Sequence, residues 1–81
     1  MIVLTYNQLE MAAADILNRL RFLFDLHRKF NNGHSPTLVI LPEAEYEILE
    51  AIARREVFVE LLLRIVDIRV GSRFAVGHID D

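Results

Sequence analysis

Between Leu9 and Phe30 the chain places inward-type residues at alternating intervals of four and three: Leu9, Ala13, Ile16, Leu20, Leu23, His27 and Phe30. This is the 3.5-residue period of a helix that keeps one stripe against a neighbour for about three heptads. Leu17 and Phe24 on one flank, with Ala12 and Leu26 on the other, widen the stripe to about half the circumference. One small sheet does not easily cover all of that. Upstream, Thr5 and Gln8 have the spacing of a capping box, and Leu4 and Leu9 occupy the two staple positions that pack across such a cap. Downstream, "NNG" stops the helix, because Asn32 or Gly33 can take the left-handed conformation that closes a helix C-terminus. A helix from Thr5 to about Asn31 is expected, ~38 Å long at 1.5 Å per residue.

The rest of the chain reads as short elements. "IVL", Ile2 to Leu4, is β-branched and apolar and suits a first strand. "TLVIL", Thr37 to Leu41, lacks polar alternation and reads as a strand buried on both faces. Pro42 then sits at a first-turn position, with Glu43, Glu45 and Glu47 near the positive end of the helix dipole. We expect this second helix to run to about Leu63, because Ile48, Ile52, Val59 and Leu63 can share a face. "IVDIRVGSRFAVGHI" reads as a β-hairpin. A two-residue Gly71-Ser72 turn mixes charged and apolar groups on both faces. A loop that also takes in Arg73 opposes Val70 to Phe74, Ile68 to Val76 and Val66 to His78, and is preferred because a one-residue slip moves every side chain to the other face. The expected fold is α/β (α+β). Its long N-terminal helix and second helix pack on a small mixed sheet, in the order β-α-β-α-β-β, or α-β-α-β-β if the first strand does not pair.

With 81 residues the chain forms one domain, residues 1–81, and a chain this short needs a staple or a partner. There is no cysteine to provide a disulfide. The apolar fraction is 53% and mean hydropathy +0.28, high for a domain with so much surface per volume. That excess must be covered, and another protein chain is the simplest cover. No run approaches the ~20 apolar residues of a spanning helix, since "VFVELLLRIV" is broken by Glu60 and Arg64. The opening "MIVLTYNQLE" has neither basic n-region nor small-residue cleavage site, so a cytosolic location is expected, or the host cytosol for a viral protein. The net charge of −3 makes nucleic acid an unfavoured partner.

The chemistry-bearing residues have ordinary readings. His27 occupies an inward position, His34 a loop, and His78 the last strand before Asp80 and Asp81; no H-x-x-x-H or H-E-x-x-H spacing says they converge on zinc. Ser35 and Ser72 fall in turns and belong to no nucleophile context. Glu43, Glu47 and Glu50 can share a helix face but read as solvated. Gly33, Gly71 and Gly77 are too scattered for a phosphate loop. Arg19, Arg21, Arg28 and Lys29 are interleaved with Asp15 and Asp25, the pattern of a salt-bridged face. No catalytic residue, metal ligand or cofactor is assigned.

"SPTLVIL" looks like the proline-led strand of thioredoxin-like proteins, but the Cys-x-x-Cys of their redox chemistry is missing. "PTLVILPEAEYEIL" followed by "IVDIRVGSRFAVGH", within Pro36–His78, resembles the strand, proline-led helix and closing hairpin of tailed-phage structural proteins, including some major capsid proteins. The resemblance covers about half the chain and implies a viral or mobile-element origin; it transfers no functional residue. The sequence therefore points to a small non-enzymatic interaction or assembly protein. Its expected mode is homo-oligomerisation through the first helix by Leu9, Ile16, Leu17, Leu20, Leu23, Phe24, His27 and Phe30, with no membrane partner. The alternatives are an inhibitor that binds a host or defence protein through Glu43, Glu45, Glu47 and Glu50, and a metal-dependent enzyme.

Overall fold

The computed structural model describes residues 5–78. Its elements are α1 (Tyr6–Phe30), β1 (Leu38–Leu41), α2 (Glu43–Ala53), α3 (Val57–Ile65), β2 (Asp67–Val70) and β3 (Ala75–Gly77). The expected strand Ile2–Leu4 and the staple partner Leu4 lie outside the described residues.

Both ends of α1 follow from local chemistry. The Thr5 hydroxyl accepts from the Gln8 N–H at 3.2 Å, and the Gln8 side-chain oxygen accepts from the Thr5 N–H at 3.0 Å. The reciprocal pair satisfies two backbone donors that the first turn leaves open. At the other end Asn32 and Gly33 both take positive φ, 56° and 83°, and the Gly33 N–H donates to the Arg28 carbonyl at 2.9 Å. This closes the helix in the Schellman manner.

The sheet is mixed, with strand order β2-β1-β3. β1 pairs parallel with β2 (Val39 beside Ile68) and antiparallel with β3 (Val39 beside Val76). The expected C-terminal hairpin is therefore corrected: β2 and β3 flank β1 and do not pair with each other. The most apolar strand takes the centre, where both of its edges are hydrogen-bonded. Residues 71–74 then cross two strand spacings, ~10 Å, a distance four residues can reach. Gly71 serves this crossing through its missing side chain, since a Cβ there would lie 2.5 Å from Ile40 Cγ2. It does not serve through positive φ, which among the described glycines is confined to Gly33.

β1 is also not buried on both faces. Val39 and Leu41 are sealed, whereas Leu38 and Ile40 are half-covered on the opposite face. On that face Asp67 and Arg69 are the register partners of Leu38 and Ile40, and they form a 3.0 Å ion pair. The core lies on the other side, where Val39 and Leu41 meet Ala13, Ile16 and Leu20 of α1, Leu49 and Ile52 of α2, and Val59 of α3.

The expected single second helix is two. Glu56, with φ −115° and ψ 106°, breaks it between Ala53 and Val57. No glycine or proline stands at the break. The reason is tertiary: β2 must start beside the start of β1, and a four-residue strand spans only ~13 Å. A continuous helix over 43–65 would run ~34 Å, so the chain folds α3 back against α2 to use the excess length.

Candidate interaction surface

Seven of the nine residues in α3, "VFVELLLRI", are apolar. At about 100° per residue, Val59 and Leu63 fall on one side, while Val57, Leu61, Ile65 and Phe58 fall within about 100° of arc on the other. The first side enters the core, with Val59 buried and Leu62 and Leu63 packed against it. The second side is left largely open by the chain: Val57 is 69% exposed, Phe58 71%, Leu61 51% and Ile65 75%. A helix that is apolar nearly all round is ordinarily buried all round, and isolated exposed apolar residues are common where a contiguous row is not. Along one border of this row Glu60 and Arg64 form an ion pair at 2.5 Å. Along the other border lies a groove of about 330 Å³ between α1 and α3, floored by Leu17, Leu20, Phe24, Phe58 and Leu62 and rimmed by Arg21 and Arg28.

The stripe expected to join copies through α1 is largely covered within the chain. Ile16 and Leu20 are core residues, and Leu9, Leu17 and Phe24 pack against that core. Leu23 and His27 are half-buried. Of the expected contact residues only Phe30, 76% exposed, stands free, in line with exposed Leu26 and Phe22 one and two turns before it. The covered face of the sheet together with α2 takes up the width that seemed too great for a sheet alone. In its place the structure exposes the outer row of α3. The signal for it was present in the sequence: once Val59 and Leu63 are assigned inward, Val57, Phe58, Leu61 and Ile65 must point away.

The His27 and His78 rings and the His34 backbone come together at one corner. His27 Nδ1 lies 3.1 Å from the His34 carbonyl oxygen, so that nitrogen carries a proton and donates it. The His27 and His78 rings lie with centroids 4.6 Å apart, tilted by 56°. Among the described residues no three His, Asp or Glu side chains are placed to hold one metal ion. Asp80 and Asp81 are outside the described residues.

On α2, Glu43, Glu47 and Glu50 form an exposed acidic row. Glu45 lies about 200° round the helix from Glu43 and is half-buried, so the four-glutamate surface reduces to three. The Glu50 carboxylate holds the Tyr46 phenol above its ordinary pKa, first by charge and second by hydrogen bonding. Several cations are engaged within the chain. The Arg19 guanidinium stacks 4.3 Å from the Phe74 ring centre, Arg55 lies 4.7 Å from Tyr6, and Arg28 faces Asp25 at 3.9 Å. Among the described residues no polar or charged side chain is buried.

These features define a small α+β domain, three helices with a three-stranded mixed sheet, that presents an apolar helix face to its surroundings. No described helix is long and apolar enough to cross a membrane. No family model matches the chain, and no curated protein or solved structure matches it either.

Proposed function

We propose that this is a small non-enzymatic protein-interaction or assembly protein whose contact surface is the outer face of α3. The observation that supports the reading is the row Val57, Phe58, Leu61 and Ile65, exposed on a helix whose opposite side already fills the core. Together these side chains expose on the order of 500 Å², near the upper range of the largest apolar patch on an ordinary monomer. A chain of this size carries that surface at a cost in solubility, and a protein partner removes it from water. The groove beside α3 widens the same contact and offers an aromatic floor, the composition favoured at the centre of protein interfaces.

Photo-crosslinking in the native cells tests this. A photoreactive residue at Leu61 is expected to give a discrete protein adduct, and the same residue at Glu47 on α2 is expected to give none. Adducts at Glu47 alone would move the contact to the acidic row and support the inhibitor reading. Absence of a protein adduct at both positions overturns the proposal.

A further inference from the structure

The occupant of the α3 face can be argued from its own charge pattern and area, and we infer that it is a second copy of this chain, packed α3 against α3, antiparallel, about a twofold axis near Leu61. The inference rests on α3 being the contact surface.

Glu60 and Arg64 line the same border of the apolar row, one helical turn apart. An isologous contact repeats each patch against itself. When two such helices pack antiparallel about an axis between the levels of residues 60 and 64, Glu60 of each copy faces Arg64 of the other along one edge of the seam. Parallel packing about a twofold axis would carry this border to opposite edges of the seam in the two copies, so Glu60 and Arg64 would lie against the partner's apolar Phe58 and Leu62 side and not against each other. The charges therefore select the antiparallel arrangement, and Leu61, within about 1.5 Å of their midpoint along the helix, lies beside the axis. Val57 of each copy then lies beside Ile65 of the other, and the apolar row is continuous along the contact.

The area is sufficient. Two faces of on the order of 500 Å² each remove about 1,000 Å² from water, the threshold of a specific interface, before the groove rim adds to it. A membrane surface fits less well. An interfacial helix carries a basic polar face, whereas the polar side of α3 holds one base, Arg64, already paired with Glu60. The bases near its ends and groove, Arg54, Arg55, Arg21 and Arg28, are interspersed with Glu56, Asp67 and Asp25.

Sedimentation of the full chain from about 1 µM to about 1 mM reads the result. The expected species has twice the chain's 9.4 kDa. Leu61→Arg is expected to weaken it on the order of 30-fold or more, the effect of a charge at the centre of a desolvated seam. Because Leu61 is half-exposed in the single chain, circular dichroism should be unchanged. Glu60→Arg at a half-exposed position and Arg64→Glu at an exposed one should each weaken the homodimer, and an equimolar mixture of the two should restore a dimer through paired opposite charges. A monomer throughout the range overturns the inference, as does a dimer indifferent to Leu61→Arg or a mixture no tighter than its components. If the chain is monomeric while the Leu61 crosslinker captures a different protein, the second copy is wrong and the contact surface stands. If Leu61 captures no protein, both fail.

Discussion

The rings of His27 and His78 face each other with centroids 4.6 Å apart and planes tilted by 56°. A titratable ring stands at this inward position of α1, where the repeat asks for an aliphatic residue, because its partner is another imidazole brought back by the C-terminal strand. Its Nδ1 is also held by the His34 carbonyl at 3.1 Å. The three histidines thus tie the end of α1, the loop after it and the end of β3 into one corner.

That corner predicts an energetic coupling. His27→Ala should destabilise the fold by about 1–2 kcal/mol, through loss of ring packing and one exposed hydrogen bond. In a double-mutant cycle with His78→Ala, urea unfolding should show a coupling of about 0.5–1 kcal/mol. Strict additivity of the two changes would mean that the rings touch without stabilising one another.

Gly71 is required for the close passage of the β2–β3 crossing over Ile40, whose Cγ2 would stand 2.5 Å from an added Cβ. Gly71→Ala should cost about 1–3 kcal/mol, because a β-branched side chain cannot swing its methyl aside. The same substitution in an Ile40→Ala background removes the obstructing methyl and should cost clearly less. Equal penalties in both backgrounds, measured by thermal or urea unfolding, would contradict the clash.

The division of α1 into a covered and an open side is also measurable. Ile16→Ala and Leu20→Ala, both in the core, should each lose about 2–5 kcal/mol. Phe30→Ala, at an exposed position, should change stability by less than about 0.5 kcal/mol. A large loss at Phe30 with small losses at Ile16 and Leu20 would return the contact to the original stripe.

Tyr46 supplies a spectroscopic check on the acidic row. Glu50 raises its pKa above 10.0 through charge and then a hydrogen bond, and Tyr6 is raised by its hydrogen bond to Glu10. In a Tyr6→Phe background, ultraviolet titration of Tyr46 should show a midpoint above 10.0 that falls on Glu50→Gln. The folded state favours the protonated phenol. Its contribution to stability is therefore full below the unfolded value and is lost as pH rises through the folded one.

Local sequence determined the features set by neighbouring residues. Thr5 and Gln8 dictated the start of α1, and Asn32 and Gly33 its end, because caps are short-range hydrogen-bond problems. The 3.5-residue period identified Ala13, Ile16 and Leu20 as covered residues, and the apolar run identified β1. What covered them was decided by the tertiary structure. An amphipathic period says that a face must leave water and is silent on whether a sheet or a second chain receives it. The break at Glu56 and the placing of β2 and β3 on opposite edges of β1 follow from the length of the return path and from the demand of the central strand for two hydrogen-bonded edges. Neither is written in adjacent residues. The open row on α3 belongs to both levels: its apolar residues are plain in "VFVELLLRI", and only the packing of Val59 into the core shows which of them remain outside.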